Sequence, residues 1–318
     1  MSGLDVRRRF DPQMARAAAE SQRLYADLPP AGPDDIAAQR ALYNHERAYW
    51  NAVKPPLAAI EPLKIPAPGG DIPCRLYRPS KAPLLPALVY LHGGGWILGN
   101  LDTHDRIMRL LAEKSGALVL GVDYRLAPEH KFPTAHDDAL AVLRHALRRG
   151  QELGIDPGRL AVGGDSAGAN LSLAACLCLE PAERAAIKLQ LLYYGSFGLR
   201  DSASLRAYGG ESYGLSRAEM ARYRAQLIRT PADLVDLRLD NLSADLGGLP
   251  SAFIVAAGLD PLLDDSRALA DLMSEAGVAN TLTIYPGMLH GFLHYSRMVD
   301  AAMLALDESA AALKRAFA

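Results

Sequence analysis

The sequence predicts an α/β protein in which a mostly parallel central sheet is flanked by helices and partly covered by a helical cap. Three observations carry that expectation. Short apolar runs bounded by Gly, Pro or Asp recur from Ile72 onward. Longer stretches with helical periodicity lie between most of them. The segment 199–249 breaks the alternation, being long, polar and helical where one crossover helix would suffice.

The expected strands are 87–91, 117–122, 160–162, 189–193, 252–257 and 281–285. Ahead of them, residues 1–60 are Ala-rich and broken by Pro29, Pro30 and Pro33, so they should form helices outside the sheet as part of the cap. From Asp34 onward Ile36, Leu42, Tyr43, Tyr49 and Trp50 make one apolar stripe, which must either pack on the core or close over a pocket. Residues 61–318 then form the catalytic domain, with 199–249 inserted into it. Within that insertion Ser216 and Glu219 make a capping box, and Met220, Tyr223 and Leu227 fall on one face of the helix that follows. A chain of 318 residues suits one such domain with its cap.

Composition narrows the partners. With 50% hydrophobic and 22% charged residues the chain can bury a large core, which excludes disordered and fibrous classes. Its 34 basic and 36 acidic side chains leave a net charge of -2, so no field draws in nucleic acid or acidic lipid, and a small neutral substrate fits better. Cys74, Cys176 and Cys178 are odd in number and spaced for neither a disulfide framework nor a zinc site, which suits a reducing compartment. The stretch MSGLDVRRRFDPQM lacks an apolar core with a cleavage site, and no run is apolar for long enough to span a bilayer. A cytoplasmic location is expected. The exposed apolar stripe would pair two subunits as readily as it would close a lid, so a homodimer is compatible with the sequence.

The chemistry starts at Gly164-Asp165-Ser166-Ala167-Gly168, between an expected strand and an expected helix. Flanking glycines there permit a sharp turn that pushes the Ser166 hydroxyl out above the sheet as a nucleophile. After another strand, His92-Gly93-Gly94-Gly95-Trp96 exposes backbone N–H groups. Gly93, Gly94 and Gly95, with the Ala167 N–H, would form an oxyanion hole in which each donor contributes roughly 3 kcal/mol to the transition state. A serine needs a general base held by an acid, and Asp260 and His290 each follow an expected strand in the required order Ser, Asp, His. Ends of parallel strands share one edge of a sheet, so the four groups should converge.

Each assignment has a competitor. Asp264 or Asp265 could replace Asp260, although both suit the start of the next helix. His294 could replace His290, and the two histidines one turn apart suggest a metal site, but the glutamate of the H-E-x-x-H zinc motif is missing. Gly93, Gly95, Gly99 and Asp123 loosely imitate a dinucleotide fingerprint, yet Trp96 and Leu98 crowd the turn. His104 and His136 read as ordinary surface or core polar groups. No metal or organic cofactor is expected.

With these residues in place, the sequence resembles the hormone-sensitive-lipase branch of the α/β hydrolases, and within it the bacterial acetyl esterase family. The marks are the two glycine motifs above, Tyr124-Arg125-Leu126-Ala127-Pro128-Glu129, Asp260-Pro261-Leu262-Leu263-Asp264 and His290-Gly291-Phe292. Nearer likeness to acetyl esterases lies in Leu98-Gly99-Asn100-Leu101-Asp102-Thr103-His104-Asp105 and Leu293-His294-Tyr295-Ser296-Arg297-Met298. The resemblance covers nearly the whole chain. It implies Ser166 as nucleophile, His290 as base and Asp260 as its partner, with Gly94 and Gly95 as donors beside Ala167 and Gly93 available for building the turn. Ala169 stands where many relatives carry Gly. The implied function is a serine carboxylesterase that cuts acetyl to butyryl esters through an acyl-enzyme. The alternatives are an amidase or peptidase on the same triad, or a ligand-binding regulatory protein of the same fold.

Overall fold

The computed structural model describes residues 6–318, so the first five residues of the amino-terminal stretch read above lie outside the described residues. Eight strands form one sheet: β1 (Ala59–Ile65), β2 (Ile72–Arg78), β3 (Leu85–Leu91), β4 (Leu118–Val122), β5 (Ile155–Asp165), β6 (Ile187–Tyr193), β7 (Ala252–Ala257) and β8 (Asn280–Tyr285). Their spatial order is β1-β2-β4-β3-β5-β6-β7-β8, antiparallel through the β1–β2 and β2–β4 pairs and parallel from β4 to β8. The α-helices are α1 (Pro12–Ala26), α2 (Ile36–Trp50), α3 (Asp105–Ser115), α4 (Thr134–Arg149), α5 (Ala167–Leu177), α6 (Pro181–Ala185), α7 (Ala203–Tyr208), α8 (Arg217–Leu227), α9 (Leu263–Glu275) and α10 (Asp300–Phe317).

The alternation of side chains along a strand divides the core in two. Ala87, Val89 and Leu91 of β3 join one buried cluster with residues of α4, α5 and α9, while Leu88 and Tyr90 join a second with residues of α3 and α10. Both faces of the parallel strands are therefore covered, which is why they read as unbroken apolar runs.

The structure departs from expectation at the edges. β1 and β2 were not among the expected strands. β1 is an edge strand whose Glu61, Pro62 and Lys64 face solvent, and Pro62 is tolerated there because no second neighbour needs its N–H. β5 starts at Ile155, five residues ahead of its apolar centre, since Asp156, Pro157 and Arg159 obscure a strand that bonds to both β3 and β6.

Residues 199–249 lie between β6 and β7 and hold α7 and α8 with three short 3-10 turns. α8 begins at the expected capping box: Glu219 N donates to Ser216 Oγ (3.2 Å) and Ser216 N donates to Glu219 Oε2 (2.9 Å). Such caps contribute about 1 kcal/mol. The stripe on α2 does two things at once, since Trp50 is buried while Leu42 and Tyr43 face a cavity. Its polar side is tied to α1, because Ser21 Oγ (2.5 Å) and Trp50 Nε1 (2.7 Å) both donate to the buried Glu46.

A buried hydrogen-bond chain joins residues 199–249 to the helices on the sheet. His136 Nε2 of α4 lies 3.0 Å from Asn170 Oδ1 of α5, and Asn170 Nδ2 donates to Asn241 Oδ1 (2.8 Å). Burial pulls the His136 imidazole down to about 4 from its ordinary 6.5. It therefore stays neutral in the folded protein while the unfolded chain takes up a proton below pH 6.5, so its stabilising effect is full above 6.5 and is lost as pH falls toward 4. The loss should approach about 3 kcal/mol for this one group. Denaturant unfolding from pH 7 to pH 4 should show the decline, with a shallower slope in His136→Gln; identical slopes would rule out a neutral buried imidazole.

Candidate active site

Ser166 sits between the end of β5 and the start of α5 with φ 55° and ψ -117°, a conformation that L-residues rarely adopt. What holds it there is close packing. A Cβ on Gly164 or on Gly168 would overlap the carbonyl oxygen of Leu91, at the end of the neighbouring β3. The backbone is pinned from the other side too, where Ser166 N donates to Tyr193 O of β6 (2.9 Å).

Asp260 follows β7 and His290 follows β8, and both reach Ser166. His290 Nε2 lies 2.9 Å from Ser166 Oγ, and His290 Nδ1 lies 2.7 Å from Asp260 Oδ2. Asp260 is wholly buried and its other oxygen accepts the Leu262 N–H (2.8 Å). The Tyr194 ring stands edge-on to His290 with centroids 5.0 Å apart, which fences the imidazole. The competing carboxylates are occupied elsewhere. Asp264 accepts Ser204 N (2.8 Å), and Asp265 Oδ1 accepts the N–H groups of Phe197, Gly198 and Leu199 (2.7, 3.1 and 3.2 Å). Burial raises Asp265 to about 7 despite those donors.

The glycine loop lies beside Ser166, and its glycines are not equivalent. The N–H groups of Gly94, Gly95 and Ala167 make no hydrogen bond within the described residues, and all three residues line the cavity. Gly93 departs from the expected donor set: its N–H donates to Asp165 Oδ1 (3.0 Å) and also points at His104 Nε2 (3.3 Å). The physical reason is that a buried carboxylate lies under the loop, while positive φ at Gly94 (123°) and Gly95 (61°) turns the chain away immediately afterwards.

The Tyr124–Glu129 motif proves to be the mount for this loop. Tyr124 OH donates to His92 O (2.7 Å), the Tyr124 and His92 rings stack at 4.3 Å, and Ala127 N donates to Trp96 O (2.9 Å). Arg40 of α2 reaches across to Ile97 O (2.9 Å) and Ala127 O (2.9 Å), and pairs bidentately with Glu129 (2.8 and 2.8 Å).

Two histidines take places that sequence reasoning missed. Of the two readings open for it, surface or core, His104 takes the core one: it is wholly buried, 3.4 Å from Asp165, and His294 packs edge-on against it with centroids 4.6 Å apart. His104, Asp165 and His294 are the one group among the described residues whose ligand atoms come close enough to suggest a metal, all within 4.8 Å of one another. That set differs from the His290–His294 pairing weighed above. A carboxylate directly before Ser166 and a His-Asp pair at the start of α3 were the available signals.

A cavity of about 650 Å³ opens onto Ser166, His290, Gly94 and Gly95. Its far walls come from α1, α2 and α8. They carry charge as well as apolar surface: Arg47 pairs with the buried Glu46 (3.1 Å) and sits 4.7 Å over the Tyr43 ring.

Fold, loop and hydrogen-bonded Ser-His-Asp set define a hydrolase class, and residues 88–294 match its family model: the chain belongs to the alpha/beta hydrolase fold family. Within that family its similarity is to esterases. The acetyl esterase of Salmonella choleraesuis (strain SC-B67) is 41% identical over 290 residues, spanning 89% of this chain and 88% of that protein. A hyperthermophilic esterase from the archaeon Pyrobaculum calidifontis superposes with a TM-score of 0.91 at 35% identity, over 96% of this chain and 98% of that one. A thermostable carboxylesterase cloned from a metagenomic library gives 0.87 at 38% identity, over 91% and 98%.

The packing under the Ser166 turn makes a contrast testable. Gly168→Ala should destabilise the protein by about 2 kcal/mol through overpacking. Gly210→Ala, where φ is -86° and nothing lies within 4 Å of the added carbon, should be neutral or stabilising by about 0.5 kcal/mol. Thermal melts of the two variants check this, and equal melting temperatures would refute the close approach.

Proposed function

We propose that this protein is a serine carboxylesterase that hydrolyses short acyl esters, acetyl to butyryl, through an acyl-enzyme formed on Ser166. That it is a carboxylic ester hydrolase follows from its family and its likeness to esterases. The observation that carries the finer reading is the Ser166–His290–Asp260 chain at 2.9 and 2.7 Å beside three N–H groups that have no hydrogen-bond partner among the described residues.

His290 Nε2 takes the Ser166 proton as Oγ attacks the ester carbonyl carbon. The negative charge that develops on the carbonyl oxygen is received by the N–H groups of Gly94, Gly95 and Ala167. The C–O bond then breaks, the alcohol leaves with the proton from His290, and the acyl group stays on Ser166. Water attacks next, giving its proton to His290, and the acid is released as Oγ is reprotonated. Asp260 holds the Nδ1–H and stabilises the imidazolium in both halves of the cycle.

We assign α1, α2 and residues 199–249 to a cap over the site. Its contribution to substrate choice is the charged wall at Glu46, Arg47 and Arg222, which disfavours a long alkyl chain. The three cysteines are unpaired and two are buried, which supports a cytoplasmic location.

Turnover of p-nitrophenyl esters from acetyl to palmitoyl should fall steeply beyond butyryl. Ser166→Ala and Asp260→Asn should each lower kcat by about 10⁴-fold or more. Comparable rates on palmitoyl esters would overturn the short-chain assignment, and an active Ser166→Ala would overturn the nucleophile.

A further inference from the structure

The catalytic cycle leaves three guanidinium groups of the cavity wall without a task. Arg47, Arg222 and Arg224 all line the cavity that opens onto Ser166. Arg47 has a counter-ion, since the buried Glu46 lies 3.1 Å away. Arg222 and Arg224 have none: neither side chain makes an ion pair or a hydrogen bond with any of the described residues.

Both stand on α8, which is held at each end. Leu227 O accepts Phe132 N (2.9 Å), Lys131 Nζ donates to Ile228 O (2.9 Å), and Met220 packs with Leu262, two residues beyond Asp260. Between the two arginines Tyr223 meets the glycine loop so closely that a Cβ on Gly95 would lie 2.6 Å from its ring. Successive residues of a helix are turned by about 100°, so Arg222 and Arg224 leave the helix on either side of that ring. The Arg222 Nε is enclosed and has no hydrogen-bond partner among the described residues. Arg224 is half-buried, and burial holds its guanidinium below the ordinary pKa, with Asp265 offsetting this in part and Arg200 adding to it.

The carboxylates that share the wall are engaged elsewhere or stand in solvent. Glu219 Oε2 accepts Ser216 N (2.9 Å) and Ser216 Oγ (2.8 Å), and Asp165 Oδ1 accepts Tyr90 OH (2.8 Å) and Gly93 N–H (3.0 Å). Glu211 is exposed at the start of a 3-10 turn, Glu211–Tyr213. The charge left unmatched in the enclosed part of the wall is therefore positive, although the chain as a whole carries -2. A guanidinium withdrawn from water without a counter-ion is costly, and a ligand carboxylate restores two parallel hydrogen bonds to it at once.

We propose that the alcohol part of the natural ester carries a carboxylate, which Arg222 and Arg224 bind while Ser166 attacks the acyl group. The proposal rests on the reading of the protein as a short-acyl serine esterase: an acetyl to butyryl group is uncharged, so the anion belongs to the alcohol part. The two arginines determine which ester is chosen and take no part in the proton transfers.

The experiment measures kcat/KM for 4-acetoxybenzoate and for 4-acetoxybenzamide, whose neutral amide matches the carboxylate in shape. Wild type, Arg222→Gln, Arg224→Gln, the double variant and Arg149→Gln are compared, with near-UV circular dichroism to establish folding. Arg149 is an exposed residue of α4 outside the cavity, so its variant makes the same change in net charge elsewhere. Dividing the value for the acid by that for the amide, and comparing this ratio between proteins, cancels the different reactivities of the two phenols. Arg222→Gln and Arg224→Gln should each lower the ratio about 10-fold and the double variant about 30-fold or more, while Arg149→Gln should keep the wild-type ratio. Arg222→Gln carries the test if Arg224→Gln does not fold. A ratio within about threefold of wild type in the folded arginine variants would overturn the proposal, as would an equal fall in Arg149→Gln. Wild type that cleaves p-nitrophenyl acetate but not 4-acetoxybenzoate would overturn it as well. Wild type inactive on all three esters would instead overturn the esterase reading, and the carboxylate-bearing alcohol with it.

Discussion

The site depends on how closely three elements meet. β3, β5 and α5 approach until the Leu91 carbonyl oxygen lies against the Cα atoms of Gly164 and Gly168, with no space for a methyl group at either. That contact is what keeps Ser166 in its left-handed conformation, because the turn cannot relax without pushing α5 off the sheet. The same closeness brings the loop after β3 beside the serine, since the loop begins one residue beyond Leu91. Strain in one residue and proximity of the glycine loop are thus two results of a single packing arrangement.

Two carboxylates stand near the serine, and their surroundings separate their roles. Asp260 is wholly buried and spends one oxygen on His290 and the other on a backbone N–H. Asp165 is equally enclosed, but its partners are a phenol, an amide and a second imidazole. Asp265, a few residues from Asp260, is tied to three backbone N–H groups and faces no imidazole. Charge alone would not distinguish these groups; what each carboxylate accepts from does.

Much of this was legible from residue order. β7 runs Ala252–Ala257, the bounds expected, because all six residues are buried and a continuous apolar run has only one extent. That Ser166, Asp260 and His290 would meet could be read because each follows a strand, and strand ends of a parallel sheet share an edge. β1 escaped notice because an edge strand with Pro62 and two exposed charges carries no apolar signature. Gly93 looked interchangeable with Gly94 and Gly95, since three identical letters hide which way each N–H points. His104 reads like any polar residue at a helix start. Its meaning comes from Asp165, sixty-one positions later, and no local pattern links residues brought together by the β3–β5 register.

The Arg40 contacts bear on how such a protein can diversify. α2 supplies much of the cavity wall while contributing nothing to the Ser-His-Asp set, so at first sight it is a free cassette for altering substrate preference. Yet one guanidinium on that helix holds Ile97 O, Ala127 O and Glu129 together, tying the end of the glycine loop to the Tyr124–Glu129 segment. Any sequence exchanged into this helix inherits that obligation. Within the wall Leu42 carries no such tie, whereas Arg40 holds the loop carbonyls and Arg47 pairs with the buried Glu46, so a library that randomises the helix uniformly would fail at these two positions for reasons unrelated to substrate fit.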